Sequence, residues 1–290
     1  MPARTDALKD RRLDAPARGL LTAGATFALM AASAVLFGRR AEAVDPAAIR
    51  LVNLNEPRWA DVRDLGTIDI LSEFPLDARS ATALNELPPT RVALETDLGL
   101  TIPDKPIEIY LFRGRRSFDE YVRRRVPQGA GRTALFVQGH DAGRVYAYYS
   151  GHMDVDVRHE STHALLHSAM AYVPLWLDEG LAEYYEVAPR FRYAGHPSLK
   201  AVRRAMWFRW RPNLTRLESL SDLRDMGEEE YRESWAWVHW MVNGPEPVRQ
   251  VLRDYLDEIA RGGFPGAIEP RLKKVVADPS AAMRAHLRTL

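Results

Sequence analysis

The chain has no cysteine among its 290 residues, which excludes disulfides and thiolate chemistry. Any tightly held metal must therefore sit on histidines and carboxylates. Charge excess is missing too: 40 Lys and Arg against 39 Asp and Glu leave a net charge of +1, so composition offers no reason to expect a nucleic-acid partner. There is no internal repeat and no long low-complexity tract beyond an Ala-rich start. Long apolar runs are scarce, with one exception. Gly19 to Gly38 is 20 residues without a charge, enough at about 1.5 Å per residue to cross a hydrocarbon core of about 30 Å. Arg4, Lys9, Arg11, Arg12 and Arg18 precede it and only Arg39 and Arg40 follow, an asymmetry that keeps residues 1–18 cytoplasmic and sends the remainder across. Ala41-Glu42-Ala43 has the small-x-small form of a cleavage site, so 19–38 reads as a transmembrane anchor or a removed signal peptide. The 46% hydrophobic content is ample for a core.

What is present centres on two segments. His159-Glu160-Ser161-Thr162-His163 places two imidazoles four residues apart, on one face of a helix, where they can bind one metal ion together. Glu160 is rotated about 100° from His159, so it can reach a water on that ion without ligating it. A third ligand must come from elsewhere. Pro174 suits the start of a second helix, on which Glu179 and Glu183 share a face and Leu177, Leu181 and Tyr184 form the apolar one. The 15 residues between His163 and Glu179 allow the first helix to end and the second to return antiparallel to it. Glu179 is then placed to complete the site. Ordinary packing of a His pair and of an amphipathic helix is the alternative for each segment taken alone.

Trp176-x-x-Glu179-Gly180-x-Ala182-x-Tyr184, following His-Glu-x-x-His, resembles the gluzincin metallopeptidases, and most closely the bacterial peptidase MA-like proteins. The resemblance spans roughly Pro106 to Gly262 and is specific from Arg158 to Glu186. It implies one Zn²⁺ held by His159, His163 and Glu179, with Glu160 as general base. It also implies that Glu183 orients a ligand His. Tyr231, on a later helix folding back over the site, would donate to the oxyanion; a Tyr capping the core is the alternative. The short linker argues against the substrate-end recognition of the large aminopeptidases of the clan. His167, one turn beyond His163, reads as an outer partner or as a hydrogen-bonded histidine between helices. Asp156 reads as a helix-start residue complementing the dipole.

The expected fold is α+β: a minimal gluzincin domain with a small sheet whose edge strand lies beside the site helix, followed by a helical subdomain. Residues 44–105 form a mixed or helical segment, 106–190 the zinc-site core, 191–262 the helical subdomain and 263–290 a helical tail. Ile107 to Phe112, Thr133 to Val137 and Arg144 to Tyr149 alternate as strands. The last of these runs into the site helix and is the expected edge strand, able to pair with an extended peptide; otherwise Tyr146 and Tyr148 only cover a sheet face. Ser117 should cap a helix to Arg125. Trp207, Trp210, Trp235, Trp237 and Trp240 are expected in the core. The expected function is a zinc metallopeptidase outside the cytoplasmic membrane. Its partners would be a peptide or protein substrate and, through the N-terminal helix, the membrane, with the chain single-pass or secreted to the periplasm. The rivals are a non-proteolytic peptide- or envelope-binding module and a hydrolase of another amide or ester.

Overall fold

The computed structural model describes residues 59–290. The uncharged run 19–38 and the Ala41-Glu42-Ala43 site lie outside the described residues. Among those described, no helix is long and apolar enough to cross a membrane.

Two strands, β1 (Asp61–Asp64) and β2 (Ile68–Ser72), lead into a broken helix, α1 (Ala78–Asn85) and α2 (Leu87–Leu98). The break falls at Glu86 because Pro88 and Pro89 follow it. Their missing N–H groups are harmless in a first turn and disruptive anywhere later. Gly99, with φ at +69°, ends α2 in the left-handed region that glycine enters without penalty. After β3 (Ile107–Phe112) come α3 (Arg115–Arg125), β4 (Ala134–Gln138) and β5 (Gly143–Tyr148). The strand order is β1-β2-β3-β5-β4. β2, β3 and β5 run parallel to one another, and β1 and β4 are antiparallel outer strands. The sheet therefore begins well before residue 106, with β1 and β2 pairing into the same layer.

Alternation along the strands divides the core. Ile107, Ile109, Leu111, Val145 and Ala147 face the large core under the site helix. Phe112 and Tyr146 face the other side, where Phe118 and Val122 of α3 cover them. This corrects one expectation. β5 is paired on both sides and is not the edge strand; β4 is. Tyr146 and Tyr148 cover the α3 face, Tyr146 stacked on Tyr110 at 5.1 Å and Tyr148 against Phe118 at 5.5 Å. Ser117 is not the cap of α3 either: Gly114 takes that place, and the Ser117 hydroxyl donates to the Gly114 carbonyl.

The site helix α4 (Met153–Ala169) packs on β4 and β5, and α5 (Leu175–Tyr185) follows it. α6 (Pro197–Trp207) and α7 (Leu214–Glu218) then lead to α8 (Glu228–Asn243), α9 (Glu246–Ala260), α10 (Glu269–Val275) and α11 (Pro279–Thr289). α5 lies flush on α8 because of Gly180. A Cβ there would stand 2.8 Å from the Ser234 carbonyl oxygen, so only glycine permits this approach. Trp235, Trp237 and Trp240 fill the core between these helices. Trp207 does not join them: it is 88% exposed.

Candidate metal centre

From Asp156 to Ser168, α4 is buried on every side, as a central helix between a sheet and a helical layer must be. Its polar residues therefore need internal partners. Arg158 locks the next helix in place. Its Nε donates to the Glu186 carbonyl at 2.5 Å, and its other nitrogens reach Glu86 and Asp154. That clamp brings the end of α5 against the start of the motif.

The Nε2 atoms of His159 and His163 lie 3.3 Å apart. Oε2 of Glu179 lies 3.6 Å from the first and 3.8 Å from the second, beyond hydrogen-bond distance. Tetrahedral zinc bonds of about 2.0–2.1 Å would separate such ligand atoms by about 3.3–3.4 Å. Each ring's other nitrogen is already engaged. Nδ1 of His159 donates to Glu186 at 3.0 Å. Nδ1 of His163 lies 3.0 Å from Asp178, an ion-pair contact poorly aligned for a hydrogen bond. With the ring protons on Nδ1, both Nε2 atoms present lone pairs to one point. Glu179 is fully buried and neither of its oxygens has a hydrogen-bond partner among the described residues. With both rings neutral, these three atoms form a donor set that fits one cation.

Two further groupings have metal-like spacing, His163 with His167 and Asp178, and His159 with Glu183 and Glu186. In each, one histidine–carboxylate pair is already hydrogen-bonded at 3.0 Å, His167 with Asp178 in the first and His159 with Glu186 in the second. Burial works to lower the His159 pKa, but the Glu179 and Glu186 carboxylates outweigh it and hold the ring well above its ordinary value. His163 is likewise raised against burial, by Asp178 and Glu179. Burial pushes Glu179 up, with the two histidines opposing. Burial also acts to raise Asp178, yet His163 and His167 outweigh it and hold Asp178 below the usual carboxylate range.

The structure reassigns several expected partners. The carboxylate on His159 belongs to Glu186, not Glu183. Glu183 is buried beside it and pushed well up, by burial first and then by Glu186, while its backbone carbonyl accepts from His196 at 2.8 Å. His167 lies with its Nε2 3.0 Å from Asp178, which it shares with His163. Asp156 lies in the first turn of α4, as expected of a helix-start residue, but it is buried there, and burial followed by the charge of Glu160 pushes it up to about 7. Tyr231 on α8 is buried with Met226. Burial, then Glu179, Glu183 and Glu160, push its phenol up, so its hydroxyl stays protonated.

Sequence reading missed Asp178, Glu186 and Arg132. Arg132 stands just before β4, and its Nη1 is buried with no hydrogen-bond partner. Burial lowers its pKa while Glu160 and Glu179 oppose that across the site. The signal for the first two was available, since Asp178 and Glu186 flank the Glu179–Glu183 pair; nothing marked Arg132. Because the carboxylates fix the ring tautomers, Asp178→Ala and Glu186→Gln should each weaken zinc binding about 10- to 100-fold. Glu183→Gln should weaken it less than either. Competition with a chromophoric chelator measures all three, and a larger loss from Glu183→Gln would reverse the assignment.

Neither a protein-family model nor a curated protein matches the chain. Among solved structures it is similar to the M1 zinc metallopeptidase from Deinococcus radiodurans, at 18% identity and a TM-score of 0.43, over 79% of this chain and 51% of that one. A single-site mutant of that enzyme matches at 19% identity and a TM-score of 0.41 over the same shares. The chain thus spans about half the length of these two structures.

Proposed function

We propose that the protein is a zinc-dependent metallopeptidase that hydrolyses peptide bonds outside the cytoplasmic membrane, tethered or exported through residues 19–38. The observation that carries the reading is the convergence of two histidine lone pairs and one buried carboxylate beside Glu160. His159, His163 and Glu179 would hold the ion, with Glu186 and Asp178 fixing the two rings. A bound Zn²⁺ supplies Lewis acidity and a water acidified toward pH 7.

The remaining steps belong to the chain. Glu160 takes a proton from the attacking water and delivers it to the departing amine. The Tyr231 hydroxyl and the Arg132 guanidinium border the site and stabilise negative charge developing on the substrate oxygen. The outer edge of β4 offers backbone groups to an extended peptide, which fixes the scissile bond next to α4.

Full-length protein should cleave members of a mixed peptide library, stop in the presence of a chelator and resume on stoichiometric zinc. Stoichiometric zinc with no peptide cut would favour a peptide- or envelope-binding module. Turnover confined to small esters or amides would move the chemistry to another bond.

A further inference from the structure

α6 ends in a surface unlike the rest of the molecule. Trp207 and Phe208 project from its last turn, 88% and 81% exposed. The chain reverses immediately after them at Arg209, a non-glycine residue at φ +60°. Trp210 then turns back toward the core. A left-handed non-glycine residue is uncommon and mildly strained, so the surrounding structure enforces this turn. Its result is two adjacent aromatic side chains held in solvent, where a soluble fold gains nothing from them.

Cations surround the pair. From Ala188 to Leu217 the sequence contains no Asp or Glu. Lys200, Arg203, Arg204 and Arg288 line a cleft of about 580 Å³ with Met206 and Trp207. Arg209 and Arg211 follow on the turn itself. None of these six makes an ion pair among the described residues. Several cations elsewhere on the surface are matched to acids, Arg116 to Glu120, Arg271 to Glu258 and Lys273 to Glu269, whereas here six unpaired cations gather around two exposed aromatic residues. The chain as a whole is nearly neutral, so the excess here is local.

We infer that the α6 tip is a membrane-docking surface, with Trp207 and Phe208 inserted at the headgroup level of an anionic bilayer and the cationic cleft seated on acidic lipid headgroups. Tryptophan and phenylalanine favour that interface, and unpaired Lys and Arg beside them add attraction to acidic lipids. The two aromatic residues are consecutive at one helix tip, both exposed, rather than spaced along a groove, which suits a planar surface better than stacked bases. The chain's own uncharged run at 19–38 would already hold it at such a surface, so a weak second contact suffices to orient the domain. The inference is independent of the metal centre.

The absence of native cysteine makes the test direct. Full-length Phe208→Cys carries one nitroxide label and is reconstituted in vesicles of phosphatidylcholine, alone or mixed with phosphatidylglycerol. A label on Val62→Cys, exposed on the outer strand β1, serves as the reference. With phosphatidylglycerol, the label at 208 should become several-fold less accessible to a water-soluble relaxing agent and more accessible to oxygen, and the label at 62 should not change. Each cation near the surface is worth about a fivefold change in occupancy, so Lys200→Glu, Arg203→Glu and Arg204→Glu together should return the label to water, as should high salt. Equal water exposure in both vesicle types would overturn the inference. So would protection that needs no lipid and rises with protein concentration, which would make the occupant a second copy of the chain. Unchanged circular dichroism of the triple variant separates loss of docking from loss of fold.

Discussion

Glu160→Gln should lower kcat about 10²- to 10⁴-fold while leaving zinc bound at one equivalent. The substitution keeps the size and burial of the side chain and removes only its capacity to hold a proton. Glu160 is not among the three atoms that converge on the metal position, whose distances are set by His159, His163 and Glu179. Its charge is nevertheless felt across the site, by Arg132 and by Tyr231. Metal affinity should therefore change little while turnover collapses. Equilibrium zinc titration alongside peptide hydrolysis makes the measurement. Retained activity with zinc in place would remove Glu160 from proton transfer.

The second large effect is on stability, and its sign separates a metal ligand from a structural carboxylate. Glu179 is buried without a hydrogen-bond partner, and burial pushes its pKa up, so its charge is costly without a cation. Zinc at 100 to 1,000 times its dissociation constant should stabilise the native protein by about 2.7–4.1 kcal/mol. Glu179→Gln should lose that gain almost entirely. In chelator, however, it should be no less stable than the parent chain, because the buried charge is gone. Denaturant midpoints of both proteins, with zinc and with chelator, test this. A variant destabilised equally in both conditions would make Glu179 an ordinary core residue.

The helical spacing that relates His159, Glu160 and His163 could be read directly from the sequence, because a helix of 3.6 residues per turn fixes which positions share a face. The same rule brought Glu179 to the site but could not choose between Glu183 and Glu186. They lie four and seven residues beyond Glu179, and both return to nearly the same sector. The decision came from Arg158, which ties the Glu186 carbonyl to α4, a contact 28 residues apart in sequence. Arg132 and the identity of the edge strand were illegible for a related reason. Strand order β3-β5-β4 is set by pairing between distant segments, and no local pattern records it. Trp207 shows the limit of composition. Its four neighbours in the aromatic cluster are wholly or partly buried, yet the turn at Arg209 leaves it outside.

The account rests on a cation shared by two rings and one acid, and anomalous diffraction at the zinc edge from crystals of the zinc-loaded protein tests this most directly. The predicted result is a single strong peak within about 2.0–2.2 Å of Nε2 of His159, Nε2 of His163 and one oxygen of Glu179. A peak among His163, His167 and Asp178, or among His159, Glu183 and Glu186, would contradict it, as would zinc-loaded crystals with no peak on α4.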